Sequence, residues 1–260
     1  MIISIQITMK TLTAALFTVG ILAWTSLAFC DEIHDAAVFG QLEKVKALLQ
    51  NNPKLVFSRD NSGGHNGVTP LHCAAMEGHK DVAELLLAYK ADVNATNNSN
   101  ETPLHYAAMA GRMDVAELLL AHKANVNARG NDLAWTPLHC AAKNGHNDVV
   151  ELLLANGAGV DTKDNMGRTP LHWATIREVV MGRKPLRKVA LQEVVQTDEP
   201  GADTKHWAVV PGQTDVAELL LANRADVNAT DNLGMTSLRL AEMTDFVEMV
   251  DLLRKHGGHE

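Results

Sequence analysis

The tetrapeptide Thr-Pro-Leu-His, which occupies residues 69–72, decides the fold because the chain repeats it. It returns at residues 102–105, 136–139 and 169–172, at intervals of 33 or 34 residues. A degraded copy, Thr-Ser-Leu-Arg, follows at residues 236–239. Self-similarity at a fixed period of this length indicates an array of stacked structural units rather than a single globular core.

Each unit is predicted to hold two short helices. In the first copy, Thr69 is suited to cap a helix, and Pro70 to the first helical position, which needs no backbone N–H. Gly78 is suited to the left-handed conformation that ends a helix. An Asp then begins a second apolar run, Asp-Val-Ala-Glu-Leu-Leu-Leu, at residues 81–87. One such helix pair cannot bury its apolar face alone, so neighbouring units must stack.

The period and the Thr-Pro-Leu-His pattern resemble the ankyrin repeat, and the resemblance covers about residues 31–260. It implies an all-α ankyrin-repeat solenoid, in which helix-turn-helix units carry β-hairpin fingers, with about six repeats including the caps. We therefore assign residues 29–260 to one ankyrin-repeat domain. The resemblance also implies that the motif histidines make internal hydrogen bonds that hold the turn; these are His72, His105, His139 and His172.

The chain departs from the family pattern in two places. The family has a glycine after each second helix, and this chain keeps it only at Gly157, with Lys90, Lys123 and Arg224 elsewhere. A left-handed conformation costs a non-glycine residue about 1 kcal/mol. The second departure is an insertion in the fifth repeat, at about residues 178–211. It is either a second contact surface or a lid over the stack, or it is a tolerated surface loop, since closing a long loop costs little entropy.

The N-terminal segment predicts export. Residues 1–28 carry a single charge, at Lys10, then an apolar run that ends with the small residues Ser26 and Ala28. This is the pattern of a cleaved secretory signal peptide. Two other interpretations stay open: an uncleaved segment of about 19 residues that spans a bilayer, or a lipid on Cys30. We expect a periplasmic or secreted protein, which would meet a membrane only through this segment and only if the segment is uncleaved or lipidated.

Composition and motifs narrow the function. The formal net charge of −8 argues against nucleic-acid binding, which needs a basic surface. Of the three cysteines, Cys73 and Cys140 share one repeat position and are expected to pack as small apolar groups. The chain carries no dinucleotide, Walker or hydrolase nucleophile motif, so we expect no cofactor, no metal and no catalysis. A less favoured alternative is an enzyme whose site lies under the insertion and uses Arg183, Lys184 or His206.

We therefore expect function on the concave face, which ankyrin proteins use to bind protein partners. Carried over by position, the candidate residues are Met76, Glu77, Glu101, Met109, Trp135, Lys143, Asn144, Arg168, Ile176 and Arg177. Trp is a favoured binding anchor, so Trp135 is either an exposed anchor or a side chain that packs over its own finger. Met76 and Met109 are either contact residues or fillers at the edge of the core, and Trp173 is expected in the core. The sequence predicts a protein-binding module or, alternatively, a structural element of the cell envelope.

Overall fold

A computed structural model describes residues 32–60, 67–176 and 213–259. Within these ranges the chain forms six helix pairs and no sheet, with isolated antiparallel bridges where fingers close, such as Gly130 with Trp135. A short 3-10 helix at Pro53–Phe57 follows the first pair. The α-helices are α1 (32–38), α2 (Leu42–Asn51), α3 (Pro70–Glu77), α4 (Lys80–Ala88), α5 (Pro103–Met109), α6 (Met113–Ala121), α7 (Pro137–Lys143), α8 (Asn147–Ala155), α9 (Pro170–Thr175), α10 (Gln213–Ala222), α11 (Ser237–Met243) and α12 (Val247–Lys255).

The Thr-Pro-Leu-His motif starts each of the four helices α3, α5, α7 and α9. Thr69 caps α3 in an extended conformation, and Pro70 takes the first helical position, as predicted. The Thr69 N–H donates to Nδ1 of His72 at 3.1 Å, and the Thr69 hydroxyl lies 2.8 Å from the same nitrogen. These bonds satisfy groups that the first turn of a helix otherwise leaves unpaired.

The core runs through the whole stack because each unit buries the same positions. The motif leucine is buried in every copy, and the alanine pair that follows it in the second, third and fourth units, such as Ala74 and Ala75, is fully buried. Small side chains at this position let the odd-numbered helices approach closely, and from α3 to α11 these first helices contact one another more extensively than the second helices do. The first helices therefore form the inner, concave layer. The prediction of an all-α ankyrin solenoid is confirmed.

The ends of the second helices adopt the left-handed conformation whether or not a glycine is present. Gly157 has a φ of 84°, whereas Lys90, Lys123 and Arg224 have φ values of 71°, 67° and 67°. The non-glycine residues therefore carry the backbone strain that the sequence predicted. Ala134, in the finger that precedes Thr136, is also left-handed, with a φ of 55°.

Some predicted features lie outside the described residues. They are the signal peptide at 1–28 with its alternatives at Cys30, the insertion at 178–211, Arg177, and the enzyme candidates Arg183, Lys184 and His206. The helices α9 and α10 flank residues 177–212, in agreement with an insertion inside the fifth unit. In the part of the chain that is described, no helix is long and apolar enough to cross a membrane.

Candidate protein-binding face

The motif histidines join each unit to the next, and we call this series, together with His34, the histidine ladder. His72 Nε2 donates to the Glu101 carbonyl at 3.0 Å. Equivalent bonds join His105, His139 and His172 to the carbonyls of Trp135, Arg168 and Met235, and His34 to that of Val68. Because Nδ1 accepts from a threonine N–H, the ring proton resides on Nε2. The predicted structural role of the histidines is confirmed.

Burial keeps the rings of the four motif histidines neutral. Burial lowers the pKa of His72 and of His139 to about 4, although the hydrogen bonds to Glu101 and Arg168 act in the opposite direction. The pKa values of His105 and His172 are lowered for the same reason. A neutral ring with both nitrogens bonded internally is a structural group rather than an acid–base catalyst at pH 7.

A second set of cross-links fixes the ends of the first helices. His79 Nε2 donates to the Val38 carbonyl at 2.9 Å, and Arg112 Nε donates to the Met76 carbonyl at 2.9 Å. His146 Nε2 donates to the Met109 carbonyl at 3.0 Å. Each of these donor side chains packs against a glycine that has no room for a Cβ. A Cβ on Gly111, for example, would lie 2.6 Å from His146 Nδ1. The backbone around the concave positions is therefore held from two sides.

The candidate residues occupy three positions of the repeat. The first position precedes the motif threonine and holds Glu101, Trp135 and Arg168. The second, at the C-terminal end of the first helix, holds Met76, Met109, Lys143 and Ile176. The third follows it directly and holds Glu77, Asn144 and Arg177. Since equivalent positions stack from unit to unit, the described members form three parallel rows on one side of the solenoid.

Exposure differs along these rows. Met76 is 37% exposed and Glu77 is exposed, whereas Met109 and Ile176 are half-buried. Lys143, Asn144, Arg168 and Glu101 are half-buried as well. The rows thus present an apolar stripe of Met76, Met109 and Ile176 that is interrupted by a cation.

The prediction that Trp135 is an exposed anchor is wrong, because the residue is only 8% exposed and packs internally. Its centroid lies 4.5 Å from that of Trp173, in an edge-to-face arrangement. Both indole N–H groups donate to Asp164 Oδ2, at 3.2 Å from Trp135 and 2.9 Å from Trp173. The alternative that Trp135 packs is supported, but its partners belong to the next unit rather than to its own finger. Trp173 lies in the core, as predicted.

Two cations border this aromatic pair. Lys143 Nζ lies 5.2 Å from the Trp135 centroid and 5.8 Å from the Trp173 centroid. Arg168 Cζ lies 5.2 Å from the Trp173 centroid, and Arg168 Nε donates to Asp231 Oδ2 at 3.4 Å. We call Lys143, Arg168, Trp135 and Trp173 the cationic patch.

Asp231 completes the support of Arg168. Burial would raise the pKa of Asp231, but the backbone N–H groups of Met235 and Leu233 and the Arg168 guanidinium together hold it below its usual value. Sequence analysis missed both Asp164 and Asp231. The signal was available, because the last four fingers each carry an Asn or Asp five residues before the motif threonine, at Asn97, Asn131, Asp164 and Asp231.

No alternative chemistry stands out in the described ranges. No group of three or more His, Cys, Asp or Glu side chains there could hold a metal ion. Cys73 and Cys140 are buried free thiols, and burial raises the pKa of each to about 12, so neither is a nucleophile at neutral pH. Their predicted packing role is confirmed.

Comparison with known proteins agrees with this geometry. Over 69 aligned residues, the chain is 36% identical to protein phosphatase 1 regulatory subunit 27 of Homo sapiens. Over 69 aligned residues, it is 35% identical to the same subunit of Mus musculus. Over 67 aligned residues, it is 37% identical to the probable E3 ubiquitin-protein ligase XBOS32 of Oryza sativa subsp. japonica. Each alignment covers 26% of this chain, which spans 42% of the phosphatase subunits and 13% of the ligase. Family models match residues 33–130 and 127–181 as ankyrin repeats (3 copies) and residues 206–254 as ankyrin repeats (many copies). These models cover well over half of the chain, which therefore belongs to the ankyrin-repeat family.

Proposed function

We propose that this chain is a non-catalytic module that holds a protein partner in its concave groove. The observation that carries the proposal is the stripe of Met76, Met109 and Ile176, which stays partly exposed at the ends of first helices whose neighbouring alanines, such as Ala75 and Ala108, are fully buried. Methionine is a soft, adaptable side chain that suits contact surfaces. Cross-links to the Met76 and Met109 carbonyls hold this stripe rigid, which reduces the entropy lost on binding.

The relatives support binding rather than catalysis. Two of them are named as regulatory subunits of a phosphatase, which is a role exerted through another protein. The aligned segment is only part of each relative, so a phosphatase partner is not proposed for this chain. What the likeness favours is the class of function, recognition by a surface.

The groove is tested by capture from an extract with the full chain as bait. The variant Met76→Glu, Met109→Glu places two carboxylates on the stripe and should reduce capture of the partner at least about tenfold. Met113→Glu is the matched control, because Met113 is 42% exposed but begins the second helix α6, where an added acid favours the helix dipole. Capture by the control and not by the double variant supports the groove. Equal capture by both would contradict it.

We also propose that the chain is exported, through the apolar segment at residues 1–28. The intact mass of the protein recovered from the cell envelope tests this proposal. A chain that begins at Phe29 supports export with cleavage, and a lipid mass on Cys30 supports an envelope-anchored structural element instead. An uncleaved chain found only inside the cell would contradict export.

A further inference from the structure

Methionine is distributed unevenly between the core and the surface of the stack. Ten of the twelve largest fully buried side chains are leucine, and Met249 is the one methionine among them. Every other methionine in the described residues keeps part of its side chain exposed. Leucine and methionine fill nearly the same volume, so the oxidisable member of this pair lies mainly outside the core.

Three of the exposed methionines occupy one position of the repeat, seven residues after the first residue of the motif. They are Met76, Met109 and Met243, at the C-terminal ends of the first helices α3, α5 and α11. We call them the methionine row. Sequence analysis did not include Met243, which follows the degraded motif copy, yet at 68% it is the most exposed member, against 37% for Met76.

The methionine row belongs to the proposed binding face rather than to the core. Met76 and Met243 lie outside the hydrophobic core, and Met109 packs against its edge. The bonds that Arg112 and His146 donate to this row end on the backbone carbonyls of Met76 and Met109, not on their side chains. A chemical change at the sulfur atoms therefore alters the surface of the groove and leaves these cross-links in place.

Peroxide converts a thioether to a sulfoxide. The sulfur bonds to one peroxide oxygen and loses two electrons, the O–O bond breaks, and the other oxygen takes up a proton and leaves as water. The product carries a polar S=O group, and burying that group against an apolar partner surface is unfavourable. Cys73 and Cys140 do not compete for the oxidant, because both are buried and burial raises the pKa of each thiol to about 12.

We infer that the methionine row is an oxidation site that controls binding, in which conversion of Met76, Met109 and Met243 to sulfoxides releases the partner. This inference rests on the proposed function and adds its regulation. The change is reversible, because a methionine sulfoxide reductase removes the oxygen as water while two thiols become a disulfide. The fold persists in both states, since the core methionine, Met249, is out of reach of the solvent.

The probe for the test is a set of displayed peptides of about twelve residues, free of Met and Cys and selected on the untreated full chain. Peptides are kept if they bind Met113→Glu and lose binding on Met76→Glu, Met109→Glu, so that they report on the groove. The full chain is then treated with hydrogen peroxide, and catalase removes the excess before binding is measured.

Oxidation should weaken binding of these peptides to wild type at least about tenfold, with an unchanged thermal midpoint. Peptide mass mapping should find sulfoxides at Met76 and Met243 and an unmodified Met249. Incubation with sulfoxide reductases and a dithiol should restore the affinity to within about threefold of the untreated protein.

Two leucine variants separate the row from the methionines elsewhere. Met76→Leu, Met109→Leu, Met243→Leu keeps the volume and removes the row sulfurs, so peroxide should change its affinity less than about twofold. Its peptides are selected on the variant itself if those of wild type do not bind it. Met113→Leu, Met166→Leu is the matched control, because these residues are 42% and 37% exposed but lie at the start of α6 and in a finger. The control should lose affinity on oxidation as wild type does.

Full binding by wild type with an oxidised row would overturn the inference and leave the groove as the binding face. Row sulfurs that resist peroxide while Met113 reacts would overturn it as well. So would a leucine-row variant that loses affinity on treatment as wild type does, because that variant retains every cysteine. A selection in which every peptide binds Met76→Glu, Met109→Glu as well as wild type would reject the groove itself, and with it the proposed function.

Discussion

Repeats three and five begin alike. Both start with Thr-Pro-Leu-His, and in both the histidine donates across to the next unit, His105 to Trp135 at 3.0 Å and His172 to Met235 at 3.1 Å. The two repeats differ only a few residues away, on the floor of the groove. In repeat three an amide, Asn97, contacts the phenol of Tyr106, whereas in repeat five a carboxylate, Asp164, contacts the indole of Trp173.

The difference shows how one backbone supports two chemistries. In both fingers the Oδ1 atom holds the turn. Asn97 Oδ1 accepts from the N–H groups of Ser99 and Glu101 at 2.8 and 2.9 Å, and Asp164 Oδ1 accepts from those of Met166 and Arg168 two fingers later. The second terminal atom then selects the ring. Asn97 Nδ2 donates to the Tyr106 hydroxyl at 3.0 Å, and Asp164 Oδ2 accepts from indoles. The Oδ1 atom, which both side chains have, holds the finger turn. The other terminal atom, Nδ2 in Asn97 and Oδ2 in Asp164, determines which aromatic side chain it contacts.

The largest expected effect is that acid breaks the histidine hydrogen bonds that repeats three and five share with the other motif repeats. The unfolded chain binds protons at its histidines below about pH 6.5, while folded His72 and His139 stay neutral down to about pH 4. The free energy of unfolding therefore falls as pH decreases from about 6.5 to 4, by about 3 kcal/mol for each of these histidines, and is unaffected by them above pH 6.5. Urea denaturation between pH 7.5 and pH 4.5 measures this loss.

His139→Leu provides the control for the acid effect. The variant leaves the Thr136 N–H and the Arg168 carbonyl without their partner, so it should lose about 1–3 kcal/mol at pH 7.5. It should also lose less on acidification than wild type does. An unchanged pH dependence would assign the acid sensitivity to groups other than His139.

Substitutions at Asp164 and Asn97 test the terminal atom that differs between repeats three and five. Asp164→Asn keeps an oxygen for the turn but presents an amide NH₂ to two indole donors, and should lower the free energy of unfolding by about 1–3 kcal/mol. Asn97→Asp places a carboxylate where the amide now donates to Glu101 Oε2 at 3.0 Å, and should destabilise the protein less at lower pH. Thermal denaturation followed by tryptophan fluorescence measures both. An Asp164→Asn protein as stable as wild type would show that packing alone orients the rings.

The smallest expected effect concerns a strain that repeats three and five share. Lys123→Gly and Arg224→Gly, both at a φ of 67°, should each raise the free energy of unfolding by up to about 1 kcal/mol. Gly157→Lys in repeat four should lower it by a similar amount, through strain alone, because no atom lies within 4 Å of the Cβ it would add. A neutral Gly157→Lys substitution would show that this turn tolerates any residue.

The sequence predicted the features that repeat and not those that occur once. The helix starts at Thr69, the structural role of His72 and the left-handed Lys90 follow from local chemistry that recurs in each unit. The burial of Trp135 could not be predicted in the same way, since it depends on Asp164, 29 residues away. The finger position of Asp231 recurs along the chain, but its contact with Arg168 spans 63 residues and crosses the insertion, so the period alone does not predict that contact.

The hydrogen bonds of Gln213 give the fifth repeat a property of use to protein engineers. Its buried side chain donates to the Lys143 carbonyl at 3.2 Å and to the Ile176 carbonyl at 3.3 Å, so the two residues that flank 177–212 are held side by side. The ladder also continues past this point, from His172 to Met235. A reporter domain whose termini lie close together is suited to insertion between Ile176 and Gln213, because the hydrogen bond between these two residues already holds the attachment points together.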